Sequence, residues 1–343
     1  MSAERDRKAV TIKQVAEKAG VSVGTVSNLL NATMPVSEET AARIKRSVEE
    51  LNYVPNMMAS SLRRKTSRMI DVLVPNMSNS FYTGIISPFT DTAYSHDYQV
   101  RVFGYEYSAK REKRMLRSME NSKPGLAVVF NGIDDEEQLE ALVRQGVPVI
   151  LADRDTEIPS VPYIAFDNEE IFDEIIGMLK KKGYRRIGLF MEPPYLVNIR
   201  KRHASFLKAL EAHGFPGGPD VVFSREDLCL DHLGNGYRYM KDVLATHAKK
   251  DLPDAWITSS DLIAIGMTRA IHEAGMRVPE DFGVVGFDNI AVSGFVQPRL
   301  TTVEQSQEAL SSALWVMAEQ ILTGRHEPEN VVLPQKLVLR ESC

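Results

Sequence analysis

The chain has 343 residues, 43% of them hydrophobic and 25% charged, with a formal net charge of −5. It is too long for one typical domain and apolar enough for sizeable cores. Two distant cysteines, Cys229 and Cys343, provide no disulfide framework or metal site, so reduced thiols and no metal or cofactor are expected. The start, MSAERDRKAV, lacks the apolar run of a signal peptide, and no segment approaches the roughly 18 apolar residues of a membrane span. A cytoplasmic protein is expected.

Charge is unevenly spread. Residues 1–66 hold 11 Lys+Arg against 7 Asp+Glu, a net of +4, and the remainder is correspondingly acidic at −9. A basic head on an acidic body is the pattern of an ion-steered nucleic-acid module joined to a separate sensing domain.

The first elements are short helices. Within TIKQVAEKAGVSVGTVSNLLN (11–31), Ile12, Val15, Ala16 and Ala19 share one helical face. Gly20 permits a sharp reversal, and Ser22 caps a second helix over Val23 to Leu30. Val26, Leu29 and Leu30 face inward there, leaving Val23, Gly24, Thr25, Ser27 and Asn28 pointing out. A third helix begins at Ser37 and buries Ala41, Ile44, Val48 and Leu51. The pattern is that of a DNA-reading helix-turn-helix; three ordinary amphipathic helices are the alternative. Next comes YVPNMMASSLRRKTS (53–67), with Pro55 suited to a first helical turn. So short an apolar helix needs a partner surface. DNA could supply one, with Leu62 wedged between base steps and Arg63, Arg64 and Lys65 on phosphates.

From Arg68 on, apolar strands alternate with amphipathic helices. Strands are expected at Met69–Val74, Gln99–Phe103, Leu126–Phe130 and Val147–Leu151, with helices at Phe81–Ser95, Lys110–Ser118 and Asp135–Gln145. A second series has helices at Glu169–Lys182, Ile199–His213, Gly234–His247 and Asp261–Ala274, and strands at Arg186–Phe190, Ala255–Thr258 and Phe282–Phe287. A last strand starts at Lys336. The expectation is a small all-α head on an α/β body of two doubly wound parallel-sheet lobes. Ligands of such sheets sit beyond the carboxyl ends of strands, which places a site in the cleft between lobes. Strand ends carry Phe81, Tyr82, Asn131, Asp153, Arg154, Ser260, Asp261 and Asp288, a set suited to a sugar or similarly polar molecule. Asp261 is equally suited to capping a helix, and Arg200, Lys201 and Lys208 to a solvated face.

The motifs TIKQVAEKAGVSVGTVSNLLN, YVPNMMASSLRRKTS and VPEDFGVVGFDN (278–289) together resemble the LacI family of bacterial transcription regulators, from Thr11 to about Arg340. The resemblance implies a helix-turn-helix domain at 10–54, a hinge helix and linker at 55–67, and an effector-binding and dimerisation domain at 68–343. The implied N-lobe is about 68–166 with 295–327, and the C-lobe about 167–294 with 328–341. It implies a homodimer on a near-palindromic operator, controlled by a small sugar-like effector, in a repressor of carbohydrate uptake or catabolism genes. A protein corepressor or a purine or nucleoside effector is the alternative. DNA contacts are implied at Thr11, Ser22, Asn31, Tyr53, Asn56, Ala59, Leu62 and Arg63 beside the outward residues of the second helix. Effector contacts are implied at Arg202 and Asp231 beside the strand-end set.

Several positions depart from the family pattern. Asn28 stands where an arginine often grips guanine, and asparagine pairs more naturally with adenine. Ser205 replaces a common glycine, Ser260 a common asparagine, and Asp231 an aromatic residue found in some relatives. No leucine heptad follows the last strand, so a dimer rather than a tetramer is expected. No GxGxxG, P-loop, GxSxG or HExxH occurs, so the chain is not expected to be an enzyme. Periplasmic sugar-binding proteins share the expected body fold but carry export signals.

Overall fold

The computed structural model describes residues 10–30, 34–53, 67–132, 136–325 and 328–343. The chain forms two compact units, Met1–Ser67 and Arg68–Cys343. Asn31, Asn56, Ala59, Leu62 and Arg63 lie outside the described residues, as does most of the expected hinge.

In the first unit, α1 (Ile12–Ala19), α2 (Val23–Leu30) and α3 (Glu38–Glu50) enclose a small core. Val15, Ala16, Ala19, Val26 and Ile44 are buried in it. Ile12, Leu29, Leu30, Val48 and Leu51 pack round it, as the periodicity predicts. Gly20 ends α1 at φ +66, and Val21 N–H returns to Ala16 O at 3.0 Å. That reversal is what a glycine in the left-handed region provides. Ser22 Oγ accepts from Thr25 N–H at 3.1 Å and caps α2. Glu38 and Glu39 occupy the first turn of α3, where negative charge suits the helix dipole.

The second unit holds two six-stranded sheets. The first contains β1 (Met69–Val74), β2 (Gln99–Gly104), β3 (Leu126–Phe130), β4 (Val149–Ala152) and β5 (Tyr163–Phe166). Helices α4 (Ser80–Ser95), α5 (Ala109–Ser122) and α6 (Glu136–Arg144) connect them. The second sheet follows α7 (Asn168–Lys181): β6 (Ile187–Met191), α8 (Val197–Ala212), β7 (Val222–Ser224), α9 (His232–Thr246), β8 (Ala255–Thr258), α10 (Asp261–Glu273), β9 (Gly283–Phe287) and β10 (Thr301–Glu304). Then come α11 (Gln307–Thr323), β11 (Val331–Leu333) and β12 (Lys336–Val338). The strand orders are β11-β5-β4-β3-β1-β2 and β12-β10-β9-β8-β6-β7. Among the described residues, all pairings are parallel except β10 with β12. β3 and β9 are buried at every position, as strands covered on both faces must be.

The passages between lobes differ from the sequence reading. β10 at 301–304 pairs with β9 in the second sheet, whereas 295–327 was expected in the first lobe. β11 at 331–333 pairs with β5 in the first sheet, whereas 328–341 was expected in the second lobe. The chain therefore crosses between β10 and α11 and again between β11 and β12. These strands are three or four residues long, too short to leave a period in the sequence.

Candidate functional site: a helix-turn-helix face and an inter-lobe cleft

On α2, Gly24 is exposed and Thr25, Ser27 and Asn28 are half-buried, across the helix from buried Val26. Small and polar side chains near a helix start let the backbone approach a groove. Three candidates have structural duties. Thr11 precedes α1, and both its N–H and its hydroxyl donate to Gln14 Oε1, at 2.8 and 3.0 Å. Val23, expected to point out, is half-buried against the core, and Tyr53 packs there too. A first-turn valine on a helix this short reaches the hydrophobic interior of so small a bundle.

In both sheets of the second unit the strand order reverses once, between β1 and β3 and between β6 and β8. The rule of the topological switch point puts a ligand beyond those strand ends. There the two lobes meet around a cavity of about 20 Å³, room for roughly one water. Phe81, Tyr82, Asp153, Arg202, Ser260 and Asp288 all line it, joined by Glu192, Asn198, His232 and Ser259. Asn131, Asp153 and Asp288 are each the first residue beyond a strand, with φ +57, +58 and +106. Backbone held in this region by non-glycine residues costs about 1–3 kcal/mol and clusters at functional sites.

Asp153 is the hub. Its Oδ2 accepts from Asn131 Nδ2 and Asn198 Nδ2, both at 2.9 Å, and its Oδ1 from Gln305 Nε2 at 3.5 Å. Asn131 also donates to the Tyr82 hydroxyl at 3.2 Å, from a position just behind the cavity. On α8, Asn198, Arg202 and Ser205 fall one turn apart and are all buried. Arg202 lies 4.0 Å over the Phe287 ring and donates to Ser259 O at 2.8 Å and to Gln305 Oε1. Its Nε and the Oδ1 atoms of Asn198 and Asn131 are buried without a hydrogen-bond partner. Such capacity in native interiors calls for a ligand or water.

His232 Nε2 stands 2.7 Å from Glu192 Oε1, and Ser259 Oγ donates to Glu192 Oε2. Burial would raise the Glu192 carboxyl, but His232 and these hydrogen bonds outweigh it and bring its pKa to about 2. Asp153 is raised by burial, against the pull of Arg202 and its amide donors. Asp288 is raised well above the usual carboxylate range, first by burial and then by Asp261, Asp153 and Glu192, with Arg202 opposing. Burial likewise holds the Tyr82 and Tyr107 phenols well above their ordinary value, so both stay neutral.

Three expectations need correction. Asp231 is exposed and caps α9, accepting from Gly234 N–H at 2.9 Å; the cavity is lined by its neighbour His232. Arg154 is buried beside the cavity rather than in it, and donates to Asn131 O at 2.9 Å. Lys201 and Lys208 are exposed, as a solvated face requires, and pair with Asp155 and Glu169. The helix-cap alternative for Asp261 falls to Ser260, which accepts from Ile263 N–H, while Asp261 receives Ile290 N–H and the Ser293 and Thr302 hydroxyls. Glu192, Asn198, His232 and Gln305 escaped the sequence reading. Glu192 directly follows β6, and the strand-end rule alone would have selected it.

A three-helix head with a groove-reading face and a two-lobed body with a polar cleft define a ligand-responsive DNA-binding regulator. Residues 11–56 match the bacterial regulatory proteins of the lacI family, and residues 176–343 match the periplasmic binding protein-like domain. The HTH-type transcriptional regulator RegA of Clostridium saccharobutylicum is 31% identical over 342 residues, covering 97% of this chain and 99% of that protein. The HTH-type transcriptional repressor PurR of Aliivibrio salmonicida is 28% identical over 334 residues, covering 97% and 98%. The structure of the Lac repressor dimer bound to operator and the anti-inducer ONPF superposes with a TM-score of 0.82 at 27% identity, over 98% of this chain and 99% of that one. The chain belongs to the lacI family, as a DNA-binding transcriptional repressor and not an enzyme.

Proposed function

We propose that the chain is a cytoplasmic homodimeric repressor of carbohydrate uptake or catabolism genes, set by a small polyhydroxylated effector in the inter-lobe cleft. The observation that carries this reading is the unmet hydrogen-bonding capacity there. Arg202 Nε offers a donor, Asn198 Oδ1 an acceptor, and both sit within a ring of carboxylates and hydroxyls. Hydroxyl groups, which donate and accept at once, suit such a mixed set. A purine would need a flat stacking partner. Phe81 and Tyr82 instead meet edge to face, at 5.4 Å and 70°, and Asp231 puts no ring in the cleft. A dimer would set two α2 helices into successive major grooves of a near-palindromic site, as operator symmetry mirrors protein symmetry. An effector that prefers one arrangement of the lobes shifts the operator-binding equilibrium by that preference alone.

The test is selection of bound fragments from the source genome by the purified full chain, with no ligand and again with added sugars. The expected result is a short palindrome beside sugar-transport or catabolic genes, with occupancy changed by a sugar. Enrichment beside nucleotide-synthesis genes, or occupancy indifferent to every sugar, would overturn the carbohydrate reading.

A further inference from the structure

Asp288 stands apart from the other carboxylates of the cleft. Asp153 takes three amide donors, Glu192 takes His232 and Ser259, and Asp261 takes two hydroxyls and a backbone N–H. Asp288 is only 5% exposed, yet among the described residues its side chain has neither an ion pair nor a hydrogen bond. Arg202, the cation that acts on it, donates to Ser259 O and Gln305 Oε1 and makes no hydrogen bond to Asp288. A buried carboxylate in that condition is costly unless a positive charge or a proton reaches it.

Asp288 also borders a second space. A groove of about 560 Å³ runs between α4 and α11, a volume suited to a small-molecule ligand. Among the described residues its ionisable lining is Asp288, Glu304 and Glu308, with no Lys, Arg or His. Neither glutamate makes an ion pair or a side-chain hydrogen bond among the described residues. Thr92 and Ser312 hydroxyls form a polar wall, closed by Trp315, whose indole packs against Phe89, His96 and Tyr98. A cation is favoured beside carboxylates, whereas an anion would meet three like charges.

We infer that the effector is cationic, a small polar molecule whose protonated amine reaches Asp288 from the groove between α4 and α11. This rests on the reading of the cleft as the effector site and narrows its ligand class. With the lobes parted beyond the one-water cavity seen here, hydroxyls would engage Arg202 Nε and Asn198 Oδ1, while the ammonium group would pair with Asp288. Sugar acids and sugar phosphates are thereby rejected.

The experiment is calorimetric titration of the full chain with matched probes: D-glucose, D-glucosamine and D-glucuronate, then D-galactose, D-galactosamine and D-galacturonate, with putrescine as an amine lacking hydroxyls. An amino member should bind with a Kd about tenfold or more below its neutral counterpart, and the uronates should not bind. Asp288→Asn should remove most of that advantage. The surface pair Glu304→Gln and Glu308→Gln should reduce it severalfold, more so at low salt. Neutral sugars binding as tightly as the amines would overturn the inference and leave the cleft as a polyol site. An amine preference unchanged in Asp288→Asn would overturn it as well. Absence of binding by every probe would overturn it too, and would count against the polyol reading only if operator binding also ignored all of them.

Discussion

Asn198 Nδ2 donates to Asp153 Oδ2 at 2.9 Å, and this bond joins the start of α8 in the second lobe to the end of β4 in the first. Three residues further along α8, Lys201 pairs with Asp155 across the same seam. The buried bond is the stronger element, because the pair at Lys201 is partly exposed and screened by solvent. A hydrogen bond to a charged group contributes about 1.5–3 kcal/mol, so Asn198→Ala should shift the lobes toward an open arrangement by roughly 10- to 100-fold. Spin labels on α5 and α9 would read the inter-lobe distance. A distribution identical to that of the parent would remove Asn198 from lobe closure.

Glu192 and His232 form a buried pair inside the second lobe, 7% and 5% exposed in their side chains. Removing one partner of such a pair costs about 3–5 kcal/mol, since the other charge is stranded; replacing both by apolar side chains is often neutral. His232→Ala should therefore lower the urea midpoint markedly, and Glu192→Met with His232→Leu should recover most of the loss while altering ligand binding. Because the folded Glu192 pKa is depressed from 4.5 to about 2, its contribution is complete above pH 4.5 and fades as pH falls toward 2. Equal stability of the single and double variants would show that the charge pair is not what matters there.

Asp261 has the opposite sign. Burial raises its carboxyl from 3.8 to about 6, although Ser293, Thr302 and Ile290 N–H favour the charged form. The folded chain thus holds this proton more tightly than the unfolded one, and stability declines as pH rises from 3.8 to about 6. A shift of two units corresponds to about 3 kcal/mol. Asp261→Asn should abolish that decline, so thermal melts of the two proteins should diverge in favour of the variant as pH rises across this window. Parallel melting profiles would contradict the raised pKa.

The strands most readable in the sequence were those buried on both faces. MIDVLV and LAVVF were placed to the residue, because a continuous apolar run between turn signals has few other meanings. The crossing strands β10 and β11 were missed, since TTVE and VVL are too short to show a period. In the site, residues past a strand were found by position, and five of them share one cavity. Asn198 and Gln305 were not, because their role depends on which helix faces which strand end across the cleft. Asp231 misled for a related reason: one step along α9 separates an exposed cap from a buried ligand-facing side chain.

The operator should differ from that of family members with an arginine on the reading face. On α2, Gly24, Ser27 and Asn28 fall on one side of the helix, away from buried Val26. Of these, Asn28 alone has an amide able to donate to and accept from one base, and the adenine edge presents that pair of groups in the major groove. Asn28→Arg should move the preference at one position of each half-site from A·T to G·C, by about 1–3 kcal/mol per contact. Asn28→Ala should instead flatten the preference there and leave the neighbouring positions unchanged. Competition binding with operators varied at single base pairs separates these outcomes. A uniform loss across all sequences would mean that Asn28 supports the fold of the head or touches phosphate, and does not read a base.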